Sequence, residues 1–163
     1  MTIQVDSREK AKAIKKILNT FDDSGVNYYV SKLYCGDYMN LDNPRLIIDR
    51  KQNLSELCSN CCQSHDRFRN ELIRAKENGI QLVILCEHGK GVESLEDVFF
   101  WENPRSKKRI KNNGKWETVP TKATTGETLY KILSTLQRKY GVRFEFCTKD
   151  ETGKRIVEIL SEK

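Results

Sequence analysis

Two acidic residues and a lysine stand close together near the first third of this chain: Gly36-Asp37-Tyr38, then ten residues, then Asp49-Arg50-Lys51. Paired carboxylates bind a hard divalent cation, with backbone carbonyl and water oxygens completing the shell. Such a cation polarises a phosphoryl oxygen and lowers the pKa of a water, and a neighbouring lysine orients that water or offsets developing charge. The chemistry these residue types suit is phosphodiester hydrolysis. The spacing D-x(n)-[D/E]-x-K is weak by itself, because an acid two residues before a lysine arises by chance in most proteins. On spacing alone the plainer reading is a surface hairpin carrying a salt-bridged Asp and Lys.

For the three residues to meet, Asp37 and Asp49 must lie on adjacent strands. Side chains at i and i+2 of a strand share a face, so Asp49 and Lys51 point one way and Arg50 the other. The sequence supplies such a hairpin: a strand over Tyr28 to Tyr34 running into Gly36-Asp-Tyr38, a loop at Asn40-Leu-Asp-Asn-Pro44, and a returning strand over Arg45 to Lys51. Before it come a short alternating strand, Thr2 to Asp6, and a helix over Lys10 to Phe21 with Ala11, Ile14, Ile17, Leu18 and Phe21 at helical spacing. After it, two helices are predicted over Leu54 to Cys62 and Asp66 to Asn78. Then come a strand buried on both faces over Ile80 to Cys86, a helix from Gly126 to Lys139, a strand over Val142 to Cys147 and a helix over Glu151 to Leu160. Helices alternating with buried strands predict an α/β, three-layer fold with a central mixed sheet flanked by helices, as one domain over 1–163. The stretch from Val98 to Lys122 is polar, basic and weakly periodic, and reads as an insertion or long loop.

Composition sets the outer limits. Hydrophobic residues make up 37% of the 163 and charged residues 32%, ordinary for a globular protein and too apolar for a disordered one. No run approaches the roughly 18 apolar residues of a membrane span, and Met1-Thr-Ile-Gln-Val-Asp6 has no signal-peptide character, so a cytoplasmic location is expected. Net charge is +6, from 29 Lys and Arg against 23 Asp and Glu, which favours polyanionic partners. The densest cationic run, Arg105-Ser-Lys-Lys-Arg-Ile-Lys111, lies beside Trp101 and Trp116. Six cysteines in a chain with no sign of secretion are expected to stay reduced. Cys58, Cys61, Cys62 and His65 have zinc-ligand chemistry, but they fall in a predicted helix with no second Cys-x-x-Cys pair. The only histidines, His65 and His88, have no nucleophile that the sequence pairs with them, so no triad is expected.

Longer motifs go further. Val5-Asp6-Ser7-Arg8-Glu9 resembles the V-D-x-R-E opening of the XPF-like structure-specific endonucleases. Gly36-Asp-Tyr38 with Ile48-Asp-Arg-Lys51 resembles that family's G-D-Y-x(n)-E-R-K motif, and Thr148-Lys-Asp-Glu-Thr152 is similar to its T-x-x-E-T segment. The three occur in order and span nearly the whole chain.

The resemblance implies a restriction-endonuclease-like fold of the PD-(D/E)xK superfamily and a metal-dependent DNA endonuclease acting on branched, flapped or junction DNA. Matched position by position, the catalytic set is Asp6, Arg8, Asp37, Asp49, Arg50 and Lys51. Asp37 and Asp49 would hold Mg²⁺ or Mn²⁺, Asp6 would support the metal, Lys51 would serve the attacking water, and Arg8 and Arg50 would contact phosphate or brace the carboxylates. A homodimer through the nuclease domain is also implied. Arg67 and Arg69 on the flanking helix, and Lys107, Lys108, Arg109 and Lys111 in the basic run, are expected to meet DNA, with Trp101 or Trp116 stacking on an unpaired base. The family's Glu is Asp49 here, which the general pattern allows. Its Asp four residues after the lysine is Ser55, and the neighbouring Glu56 is turned about 100° away on a helix. That departure supports the alternative, a catalytically silent DNA-binding module or partner subunit, which this family also contains. With Lys163 as its last residue the sequence leaves no room for a tandem helix-hairpin-helix module, and it is similar in size to short phage and prophage versions, whose location would be the host cytoplasm.

Overall fold

The computed structural model describes residues 1–89 and 91–163. In chain order its elements are β1 (Thr2–Val5), α1 (Ala11–Asp23), β2 (Asn27–Val30), β3 (Tyr38–Asn40), β4 (Asn43–Lys51), α2 (Leu54–Cys62), α3 (His65–Glu77), β5 (Gln81–Glu87), β6 (Lys107–Asn112), β7 (Lys115–Pro120), α4 (Gly126–Tyr140), β8 (Arg143–Cys147) and α5 (Thr152–Leu160). Two short 3-10 turns, Glu96–Phe100 and Pro104–Ser106, precede β6.

Six strands make one mixed sheet in the order β2-β1-β3-β4-β5-β8. β4, β5 and β8 run parallel, joined by helical crossovers, while β3 pairs antiparallel with β1 and β4. Alternation along the central strands divides the core in two. Ile47, Leu82, Ile84 and Cys86 face α2, α3 and α4, packing on Leu57, Phe68, Leu72, Leu129 and Leu133. Leu46, Ile48, Val83 and Leu85 face α1 and α5, packing on Ile14, Ile17, Phe21, Ile156 and Ile159. Each fully buried aliphatic side chain contributes about 1.5–3 kcal/mol, so both helical layers are firmly attached. The same parity puts Asp49 and Lys51 on the α2–α4 side and Arg50 on the α1–α5 side.

Local chemistry sets the ends of these elements around the site. The Asn53 side chain accepts the Glu56 N–H, and Glu56 reaches back to accept the Gln52 N–H at 2.7 Å. This reciprocal capping starts α2 immediately after Lys51. At α4, the Thr125 side chain caps the first turn and left-handed Gly141 ends the last.

Two sequence expectations change. The strand beginning near Tyr28 stops at Val30 and pairs parallel with β1 at the sheet edge, so the arm facing β4 is β3. The cause is chemical: the Asp6 carboxylate takes the Leu33 N–H at 2.7 Å, which holds residues 31–37 as a loop. The basic segment 98–122 is not a long loop either. After the 3-10 turns it forms an antiparallel ribbon of β6 and β7. Its turn is Asn113-Gly114, both residues at positive φ (48° and 78°), as a type I′ hairpin turn requires.

Gly36 places Asp37. Its φ is +65°, and a Cβ there would stand 2.5 Å from the Ile47 side chain and 2.8 Å from the Ile48 carbonyl. Backbone carbonyls do not yield cheaply, and a non-glycine residue at such φ costs about 1–3 kcal/mol before any clash. We expect Gly36→Ala to destabilise the protein by at least about 2 kcal/mol in urea unfolding. A variant as stable as wild type would show that the 36–37 turn is not fixed in this way.

Candidate active site

Asp37 is set between two strands by its own backbone. Its N–H donates to Ile48 O at 2.7 Å, and its carbonyl accepts the Asp6 N–H at 2.8 Å. Its Oδ2 accepts the Arg50 N–H at 2.8 Å. Asp49, buried on β4, lies close enough for the two carboxylates to repel. Burial first, then the charges of Asp49 and Glu9, push the Asp37 carboxyl up to about 9.

Lys51 lies beside this pair. Its Nζ is 2.9 Å from Asp49 Oδ2 and 5.7 Å from the centre of the Phe68 ring. Burial would lower the ammonium's pKa, but Asp49 outweighs it, helped by Asp37 and Glu71, so Lys51 stays charged. The Lys51 ammonium is the one group that meets Asp49 Oδ2, which is otherwise buried without a partner. Beside Lys51 opens a polar cavity of about 240 Å³ whose lining includes Glu56, Asn60, Ser64, Arg67 and Glu71. Asn60 Oδ1 is a second buried oxygen with no partner.

Arg50, one residue between, turns to the other face and is buried. Its Nε and Nη2 donate to Glu9 Oε2 at 3.0 and 2.9 Å, and its Nη1 donates to Glu87 Oε1 at 2.9 Å. The Tyr38 hydroxyl donates to the same Glu9 oxygen at 3.1 Å. Arg50 therefore braces the carboxylate pair and makes no approach to the Lys51 side. Arg8 donates from Nε and Nη2 to Asp6 at 2.7 and 2.9 Å, with 57% of its side chain exposed.

Asp6, expected to support a metal, is held by protein donors in this structure. It is wholly buried, and its two oxygens accept from Arg8 N, Nε and Nη2 and from Leu33 N. Four donors fill a carboxylate's lone-pair positions, leaving none for a cation. Burial would raise its pKa, but these bonds outweigh that and hold it below the ordinary value.

The α3 arginines separate. Arg67 lines the Lys51 cavity, whereas Arg69 lines an apolar cleft toward Ile132 and Leu136 on α4. Lys107, Lys108, Arg109 and Lys111 are exposed on the ribbon. Glu9, Glu71 and Glu87 are the site residues that sequence reasoning overlooked. Glu9 closes the Val5–Glu9 motif, and Glu71 falls one helical turn after Arg67. Glu87 carries no signal beyond its place at the end of a buried strand.

The chemistry at Asp37 and Asp49 fits a hard divalent cation, since two adjacent buried carboxylates, with one lysine to offset them, gain from further positive charge. Among the described residues no three His, Cys, Asp or Glu side chains converge on one ion-sized point, so water, carbonyl or phosphate oxygens must complete any shell. The same count speaks against zinc at Cys58, Cys61, Cys62 and His65. Burial there pushes the Cys61 thiol up to about 12.

The family model of the ERCC4 domain matches residues 5–159. Among solved structures the chain is similar to XPF from Aeropyrum pernix, at 22% identity and a TM-score of 0.64, over 98% of this chain and 63% of that one. It is equally similar to the same protein in complex with DNA, at 21% identity and a TM-score of 0.64, over 98% and 62%. The chain thus spans somewhat less than two thirds of the XPF chains it matches. No match is found among curated proteins. The six-stranded mixed sheet with flanking helices is the restriction-endonuclease-like fold of the XPF nuclease domain.

The Asp37 charge has a measurable consequence. A carboxyl raised in the folded state is protonated there and ionised in the unfolded chain between about pH 4 and 9. The folded state then binds the extra proton, so stability falls as pH rises through that window. We expect metal-free Asp37→Asn to be more stable than wild type at pH 8 by about 1–2 kcal/mol, or roughly 2–6 °C in Tm, with a flatter pH dependence. An unchanged or lower Tm would contradict the repulsion.

Proposed function

The chain belongs to the ERCC4 domain family, and on that premise we propose that it is a divalent-metal-dependent DNA endonuclease acting on branched, flapped or junction DNA. The observation that carries the reading is the Asp37–Asp49 pair of adjacent buried carboxylates, beside a charged Lys51 at a polar cavity. The likeness to a DNA complex of XPF supports the choice of nucleic acid as substrate.

In this reading Asp37 and Asp49 hold Mg²⁺ or Mn²⁺, which supplies positive charge at the scissile phosphoryl group. Lys51, fixed between Asp49 and the Phe68 ring, orients the attacking water and offsets charge developing on the phosphate. Arg67 on the cavity rim meets a neighbouring phosphate, and Glu71 holds the Gly36 N–H at 3.4 Å to steady the Asp37 turn. Arg50 and Glu87 brace from behind. A homodimer remains part of the proposal. Exposed Phe100 and Phe99, the latter 5.9 Å from the Tyr130 ring of α4, offer apolar surface to such an interface.

The silent-module alternative rests on Ser55. That residue lies in a separate cleft on α2, lined also by Arg105 and Lys122. Its change leaves the carboxylate pair and Lys51 in place, so we favour the active enzyme.

The test is incubation with labelled flaps, forks, four-way junctions and plain duplex in Mg²⁺ or Mn²⁺. Branched substrates should be cut, and EDTA should stop cutting. Asp49→Ala and Lys51→Ala should each lower the rate about 10²-fold or more while DNA affinity persists. Cutting that survives EDTA or both substitutions contradicts the assignment.

A further inference from the structure

The β6–β7 ribbon buries almost nothing. Only Ile110 on β6 and Val119 on β7 are partly covered. Its base is secured, the Thr121 N–H donating to Ser106 O at 2.8 Å and the Asn103 side chain to Thr124 O at 2.9 Å. A two-stranded ribbon standing off a core gains little from packing, so its composition reflects what it meets outside.

The register sorts its side chains. Lys107, Arg109 and Lys111 pair with Pro120, Thr118 and Trp116, so these six share one face. Lys108, Ile110 and Asn112 pair with Val119, Glu117 and Lys115 on the other. The first face carries three cations about 6.8 Å apart along β6 and no acid. The second carries two cations opposed by Glu117, together with the partly covered Ile110 and Val119. Trp116 belongs to the cationic face and is 61% exposed, with the Arg109 guanidinium 5.6 Å from its ring centre.

A row of cations beside an exposed indole suits a polyanion that offers flat apolar faces. Unpaired bases do so, whereas duplex DNA hides them and presents phosphates. Trp101, the other tryptophan, is partly buried against the core and stands off the ribbon. We propose that this face of the ribbon binds the single-stranded arm of the substrate, Lys107, Arg109 and Lys111 meeting its phosphates and Trp116 stacking on a base. That this strand is a substrate rests on the nuclease activity proposed above; the single-strand site does not.

Binding of fluorescent oligothymidine and of a 20-base-pair duplex, measured by anisotropy in EDTA over a range of salt, tests this. Trp116→Ala should weaken oligothymidine binding about 5- to 100-fold and duplex binding less than twofold, with Trp116→Phe restoring most of the loss. Lys107→Ala, Arg109→Ala and Lys111→Ala together should flatten the single-strand salt slope by about two, at roughly 0.7 per contact. Lys115→Ala, on the other face, should leave that slope unchanged. The proposal is overturned if Trp116→Ala spares oligothymidine or weakens duplex equally, or if the two faces contribute alike. Cutting by wild type with no effect of Trp116→Ala sinks the ribbon site alone; Trp116-dependent binding without cutting sinks the nuclease reading alone.

Discussion

Two carboxylates placed side by side in a protein interior repel, and each prefers water. Asp37 and Asp49 remain adjacent because Arg50 does not let the strand ends relax. Its guanidinium is clamped between Glu9 and Glu87, and its own N–H holds Asp37 Oδ2. The clamp joins the turn between β1 and α1, the middle of the sheet and the end of β5. Taking one partner from such a buried cluster leaves uncompensated charge and typically costs about 3–5 kcal/mol. The alternation of a strand then does the rest, because bracing on one face frees Asp49 and Lys51 for the other.

The fold supplies the setting at small additional cost. β4 and β5 are parallel, and Lys51 and Glu87 lie at their carboxyl ends, where open α/β sheets present their sites. α2 starts three residues beyond Lys51, so the cavity forms from helix side chains at fixed distance. Asp6 and Arg8 contribute by pinning the 31–37 loop that delivers Asp37. The raised Asp37 carboxyl indicates that the site stands against folding stability, as sites built from repelling charges do. The ribbon, outside both core clusters, carries its cations with no such penalty.

Much of this was legible in the sequence, and the limits have physical causes. Helix α2 could be read to the residue from its apolar spacing, and the face assignments of Asp49, Arg50 and Lys51 follow from strand parity alone. The ribbon's strands bury no apolar face, so the alternation that marks a strand is absent from them, and Asn113-Gly114 is the one sequence signal of the hairpin. Tyr28 to Tyr34 looks like strand throughout in composition, while the bond that holds the loop after β2 comes to Leu33 from Asp6, 27 residues away in sequence. Which donors fill the Asp6 carboxylate is likewise a tertiary fact that residue order does not state. Glu71 and Glu87 enter through topology, which brings α3 and β5 against β4.

The central claim is that the repelling pair Asp37 and Asp49 is built to receive a divalent cation. The direct measurement is Tm of the DNA-free protein against Mn²⁺ concentration, for wild type, Asp37→Asn and Asp49→Asn at pH 6 and pH 8. A ligand that binds only the folded state raises its stability by RT ln(1 + [L]/Kd), about 2.7 kcal/mol at a hundredfold excess over Kd. The account predicts a Mn²⁺-dependent rise for wild type, larger at pH 8 where Asp37 gives up its proton more readily, and little or none for either variant. Equal rises in all three proteins, or none in wild type at millimolar Mn²⁺, would contradict it.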